Sequence, residues 1–166
     1  EGYEKQSITE IILKKGVQAD YAFSLFNLSK YLKAHFGAEA IILVDEYDTP
    51  IIDGYKEKYY DEVIKFMQVF MGSAFKGNPY LHKGLITGIM RIARESIFSE
   101  MNNVGAYTIV DPYFADMFGF TEEETKSILD HFGLQDHFQE VQQWYNGYRF
   151  GDTGQIYNPW SIVNYI

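Results

Sequence analysis

The chain has 166 residues, 46% hydrophobic and 17% aromatic, which is enough apolar material for a folded core, and its formal net charge is −9 with a pI near 4.8. That acidity is opposite in sign to the footprint of a surface that grips nucleic-acid phosphates, so direct nucleic-acid binding is not expected. The lack of cysteine excludes disulfides, thiolate metal sites and a cysteine nucleophile, and no apolar run approaches the roughly 20 residues of a membrane helix, so a soluble, cytoplasmic chain is expected.

The chain opens Glu1-Gly2-Tyr3 without an initiator Met and stops inside the apolar pattern Asn164-Tyr165-Ile166, so an excised piece of a larger protein is expected. Ile8, Ile11 and Ile12 at helical spacing predict a short helix over Ser7 to Lys15, with Gly16 as its stop. Leu25, Leu28, Leu32 and Phe36 form the stripe of a second helix, with Asp20 as N-cap and Gly37 as the residue that ends it. This helix feeds a buried strand, Ala40 to Val44. After the acids that follow, Val63, Phe66, Met67, Phe70, Met71 and Ala74 trace another helical face, broken by Gly77-Asn78-Pro79.

Gly84 to Ile89 reads as a second strand and Ala106 to Val110 as a third, with a short helix containing Arg91 and Arg94 between them. Strands separated by helical segments predict an α/β core with parallel strands over residues 1–110. A mainly helical, lid-like region is expected over 111–166. It contains the capping box Thr121 with Glu124, a helix ended by Gly133, and a second capped helix from Asp136 and Gln139 to about Asn146. A small hairpin then turns at Gly151-Asp152-Thr153-Gly154, and Asn158-Pro159 opens the last helix as N-cap and Pro at N1.

The run IILVDEYDTP, Ile41 to Pro50, carries the chemistry: an apolar strand leads directly into Asp45, Glu46 and Asp48. It has the form of a Walker B element, in which the strand-end Asp holds the Mg²⁺ shell and the adjacent Glu, facing the other way on extended backbone, polarises the attacking water. The structural alternative is a buried strand whose acids cap the turn at Asp48-Thr49-Pro50. Thr87, near the end of the next strand, stands where additional-strand P-loop ATPases carry their sensor 1 polar residue. Arg91 and Arg94, one helical turn apart, could neutralise phosphate charge or pair with Glu95 or Glu100. The partner motif G-x-x-x-x-G-K-[ST], which supplies the phosphate cradle, matches no stretch of the chain.

The remaining candidates are weaker. His35, His82, His131 and His137 lack metal-ligand spacing and read as structural or surface residues, and Ser96 and Ser99 lack a nucleophile-elbow context. The aromatic runs Trp144 to Tyr148 and Tyr157 to Trp160 read as core or interface packing rather than a base-stacking platform. A metal-dependent nuclease built on Asp45, Glu46 and Asp48 would need a spaced Lys, whereas Lys58 directly follows Glu57.

Taken in order, IILVDEYDTPI, YYDEVIKFM, NPYLHKGLITGIMRIARESIFS, FGFTEEE, WYNGYRFG and IYNPWSIVNYI resemble the bacterial AAA-ATPase-like proteins, P-loop ATPases related to the STAND and archaeal ATPases and often fused to a PD-(D/E)XK nuclease-like domain. The resemblance runs from about Leu25 to Ile166. It implies a partial P-loop NTPase-type parallel sheet with flanking helices, Asp45 as the Mg²⁺ residue, and Glu46, Thr87 and Arg91 in catalysis. It further implies a parent that uses Mg²⁺ and ATP, and a Walker A segment and nuclease-like domain outside this sequence. Without that segment the chain alone is expected to bind neither ligand and turn over no ATP, and strand edges left open by its loss would invite self-association. The competing class is a non-catalytic interaction module in which the acids are structural.

Overall fold

The computed structural model describes residues 2–90, 97–98, 101, 104–145 and 147–166. The chain divides into two compact units, Glu1–Val104 and Gly105–Ile166. The short helix expected around Arg91 and Arg94, with Glu95, Ser96, Ser99, Glu100 and, farther on, Asn146, lies outside the described residues.

In the first unit, helices α1 (Gly2–Ile12), α2 (Gln18–Ala22) and α3 (Ser24–Phe36) precede strand β1 (Ala40–Val44), and α4 (Thr49–Lys56) and α5 (Tyr60–Phe75) precede β2 (Leu81–Ile86). The two strands pair in parallel, Ile42 against Gly84 and Val44 against Ile86, with one irregularity between Ala40 and Ile41. Side chains alternate across a strand, so Ile42, Val44, Gly84 and Ile86 share the face that meets α5. A Cβ on Gly84 would sit 2.4 Å from the Phe75 ring, so this position has room for hydrogen alone. The opposite face carries Ile41, Leu43 and Leu85, all largely exposed. The core gathers Ile51 of α4, Ile64, Met67 and Met71 of α5, Tyr47, Ile97 and Met101.

Several sequence expectations change here. The helix expected from Asp20 is broken at Phe23, and Asp20 is not its N-cap. Its carboxylate sits inside α2, accepting from the Val17 N–H at 3.0 Å and from the Ser7 hydroxyl at 2.7 Å, and so ties α1 to α2. Gly37 does end α3 in left-handed conformation at φ 72°, its N–H on the Lys33 carbonyl. Helix α4 was not expected, although Pro50 in its first turn is a start signal. Strand β2 begins three residues early and stops before Thr87. Asn78 is more than a helix breaker: its amide donates to the Ser29 hydroxyl at 3.0 Å and the Ala74 carbonyl at 2.9 Å, and its oxygen accepts from the Tyr80 N–H. One buried amide thus joins α3, α5 and the entrance to β2.

The second unit holds a three-stranded antiparallel sheet ordered β3 (Phe120–Thr121), β5 (Gln155–Tyr157), β4 (Tyr148–Arg149), with α6 (Glu122–His131), α7 (Phe138–Trp144) and α8 (Pro159–Tyr165). Leu129, Val141, Tyr157 and Ile162 form its core. The strand expected over Ala106 to Val110 is absent. Instead, the Thr108 N–H and hydroxyl donate to the Asp111 carboxylate at 2.6 and 2.7 Å, closing a side-chain turn that competes with strand geometry. The Thr121 capping box is formed, and Asn158 caps α8 through the Trp160 N–H at 2.9 Å. Asp136 caps nothing: it falls in a single 3₁₀ turn and α7 starts two residues later. Trp144 and Trp160 are 74% and 77% exposed and so lie outside the core of this unit, where Tyr157 packs instead.

Two substitutions test this packing. Gly84→Ala forces a methyl into the Phe75 ring and is expected to destabilise the first unit by roughly 1–3 kcal/mol, read from the denaturant midpoint. Thr121→Ala removes the α6 cap at a cost of about 1 kcal/mol to the second unit. The cap also carries a pH signature. The Thr121 N–H, then its hydroxyl, hold the Glu124 carboxyl below its ordinary value of 4.5. A depressed folded pKa contributes stability that is complete above the unfolded value and is lost as pH falls through the folded one. The penalty of Glu124→Ala, which removes the carboxylate itself, should therefore shrink as the pH is taken below that range in denaturation series, and a pH-independent penalty would contradict the role given to Glu124.

Candidate functional site

The site grows from the ends of the two parallel strands. Beyond the last residue of β1 the pairing continues: the Thr87 N–H donates to the Val44 carbonyl at 2.8 Å and the Tyr47 N–H to the Thr87 carbonyl at 3.0 Å. The chain thus leaves both strands still side by side. Asp45 and Thr87 are brought together, the Thr87 hydroxyl donating to Asp45 Oδ1. The same oxygen accepts from the Glu46 N–H at 3.0 Å, and both acids are exposed.

Glu46 does not lie on extended backbone as expected. Its φ is 50°, left-handed, and its carbonyl accepts from the Thr49 N–H at 3.0 Å, so the chain turns sharply here. The turn sends the next two side chains inward. Tyr47 is 8% exposed, its ring edge-on to Phe98 at 5.2 Å between centroids, and its hydroxyl donates to the Met90 carbonyl at 2.8 Å. Asp48 is 1% exposed. Its Oδ2 accepts from the Ile89 N–H at 3.0 Å and the Met90 N–H at 2.6 Å.

A buried carboxylate demands such donors, because stripping its hydration without replacement costs several kcal/mol. Gly88 makes the approach feasible. A Cβ there would stand 2.6 Å from the Tyr47 ring and 2.8 Å from Asp48 Oδ1. Asp48 was visible in the sequence as one member of an acidic cluster, but its burial was not, and Tyr47 was missed. The readable hint is that Tyr47 and Asp48 stand between two exposed acids and the apolar pair Ile51-Ile52. The alternative in which Asp48 caps the turn by its side chain is not what is seen, since that carboxylate reaches forward to the β2 exit.

The structure therefore unites Asp45 and Thr87, sets Glu46 beside them, and leaves Arg91 outside the described residues. A carboxylate and a hydroxyl at adjacent strand ends are hard oxygen donors, suited to Mg²⁺, which takes one or two protein carboxylates and completes its shell with water and phosphate oxygens. Among the described residues no three His, Cys, Asp or Glu side chains cluster in a form that could hold a metal by themselves. Other polar clusters fasten elements rather than converge on a cleft. His137 Nδ1 lies 3.1 Å from both Glu140 and the Tyr165 hydroxyl, and that hydroxyl donates to Glu140 at 2.8 Å, holding its carboxyl below the ordinary range and joining α7 to α8. A recess of about 360 Å³ lined by Lys5, Gln6, Thr9 and Glu10 is a groove on α1 and includes none of the strand-end residues.

No helix among the described residues is long and apolar enough to cross a membrane. No solved structure matches the chain. It is similar, at 28% identity over 131 residues, to an uncharacterized protein encoded in the vnfD 5′ region of Azotobacter chroococcum mcd 1. The match covers 76% of this chain and 24% of that protein, so the chain spans about a quarter of the length of its relative. A family described as predicted AAA-ATPase matches residues 2–98, which include the whole of the β1–β2 pair and both of its exits. The chain belongs to the predicted AAA-ATPase family.

Proposed function

We propose that the chain supplies the Walker B and sensor elements of a P-loop-type ATPase, and that the longer protein carrying it binds and hydrolyses ATP with Mg²⁺. The observation that carries this reading is the Asp45 carboxylate hydrogen-bonded to the Thr87 hydroxyl at the carboxyl ends of two adjacent parallel strands. In open parallel sheets, ligands bind at the carboxyl ends of the strands. Mg²⁺, when bound, neutralises charge on the phosphates. Asp45 is the carboxylate that would hold it, with Thr87 fixing the orientation of that carboxylate. Glu46, exposed beside them, orients and polarises the attacking water, and Arg91 offsets phosphate charge.

The chain's own residues do not complete the machine. No G-x-x-x-x-G-K-[ST] is present to supply the amide cradle and Lys, so in this reading a Walker A segment elsewhere in the longer protein provides them. The uncovered sheet face of Ile41, Leu43 and Leu85 supports this, because parallel sheets are normally covered on both faces. A nuclease-like domain in the longer protein, and self-association through the open edges of β1 and β2, extend the proposal. A second reading, a non-catalytic interaction module, is favoured by one observation: Tyr113, Trp144 and Trp160 are each more than 70% exposed.

Mg²⁺-dependent ATP hydrolysis by the longer protein separates the two. Glu46→Gln is expected to lower kcat by roughly 10²–10⁴-fold while ATP binding survives, and residues 1–166 alone are expected to show no turnover. Turnover unchanged by Glu46→Gln would remove Glu46 from the mechanism. Absence of Mg²⁺-dependent turnover in the unsubstituted longer protein would favour the interaction module.

A further inference from the structure

We infer that Asp48 is a positioning residue of this site, an internal anion that fixes the segment leaving β2 and thereby the catalytic alignment of Thr87. The inference rests on the ATPase reading for its functional half; its structural half stands on the geometry alone.

Two carboxylates three residues apart in sequence, Asp45 and Asp48, meet opposite environments. Asp45 is exposed and accepts from the Thr87 hydroxyl. Asp48 is buried, and its Oδ2 accepts from two consecutive backbone N–H groups, those of Ile89 and Met90. Tyr47 closes the same segment from the other side by donating to the Met90 carbonyl. Residues 47 and 48 therefore hold Met90 by its N–H and by its carbonyl at once, across more than 40 residues of sequence.

The grip lies immediately beyond Thr87. The Thr87 carbonyl accepts from the Tyr47 N–H, and Gly88 between the two anchored points has no room for a Cβ against Tyr47 and Asp48. Thr87 is consequently pinned on one side by the Val44 carbonyl and on the other by the Asp48 and Tyr47 bonds to the next residues. Its hydroxyl can then meet Asp45 without searching. Side chains already ordered before substrate arrives reduce the entropy and reorganisation left for the reaction itself. Neither Tyr47 nor Asp48 needs to touch substrate for this role.

The test uses the longer protein with two substitutions. Asp48→Asn keeps the size of the side chain and removes the charge that two amides satisfy. Tyr47→Phe keeps the packed ring and removes the bond to Met90. The first readout is hydrogen exchange at the Ile89 and Met90 amides, expected to be slow in the parent and about 10-fold or more faster in Asp48→Asn. The second is ATP turnover, in which kcat is expected to fall by roughly 10–100-fold with KM for Mg²⁺·ATP unchanged, Tyr47→Phe moving both readouts the same way by less. Parent amides that exchange freely, or equal exchange in parent and Asp48→Asn, would overturn the anchor while leaving the ATPase reading untouched. Faster exchange with intact kcat would overturn the positioning role. Protected amides in a protein with no turnover would instead sink the ATPase reading, and the positioning role with it.

Discussion

A carboxylate buried to 1% exposure can persist in a folded chain only if charge-quality donors replace its water, and the first unit is built around meeting that demand for Asp48. The donors are the N–H groups of Ile89 and Met90, which no strand ladder uses because β2 has already ended. To present them, the chain after β2 must curl back toward the β1 exit. That curl needs a residue without a side chain at position 88, and it needs the turn at Glu46 that drives Asp48 inward. The cost of a left-handed Glu46, about 1 kcal/mol or more for a residue with a Cβ, is offset by the buried bonds it makes feasible.

The same turn explains why one acidic run separates into two kinds of residue. A strand alternates faces, so Asp45 continues the side of Ile41 and Leu43, away from α5. The left-handed residue that follows breaks the alternation and lets Tyr47 and Asp48 both enter the core. Asp45 and Glu46 stay exposed to solvent, whereas Asp48 is buried with its Oδ2 on two backbone amides. Exposed and buried acids are thus divided within four consecutive residues by a single backbone torsion.

How much of this was legible depends on whether the signal was local. Gly37, Thr121 with Glu124, and Asn158-Pro159 were read correctly because a cap is specified by the few residues that make it. The β1 strand could be read from an apolar run ending in acids, and Thr87 stood out by its position in the next apolar run, whereas its hydrogen bond to Asp45 was not read. Ala106 to Val110 misled because an Asp three residues beyond Thr108 offered its carboxylate to the backbone, and a side-chain turn outcompeted a strand with no partner. Asp20 and Asp136 resembled N-caps by type and spacing. Whether such a residue caps depends on the preceding backbone, which the tertiary contacts of Ser7 and the 3₁₀ turn at 135–137 decided instead. The inward turn of Asp48 was the least legible of all, since its donors lie more than 40 residues away in sequence.

This distribution also bears on why the apolar face of β1 and β2 is tolerated beside the acidic strand ends. Ile41, Leu43 and Leu85 form a flat exposed stripe of the kind that promotes association, and it ends at Asp45. Anything that covers the stripe must therefore come up against a carboxylate and a hydroxyl whose geometry has been set from behind, through Thr87 and the anchored Met90. Under the proposed ATPase function, a covering element would not have to organise these groups, only to bring phosphate-binding donors within reach. Affinity gained from apolar burial on the stripe and specificity supplied by the strand ends would then be separable, the first lying along the sheet and the second at its carboxyl edge.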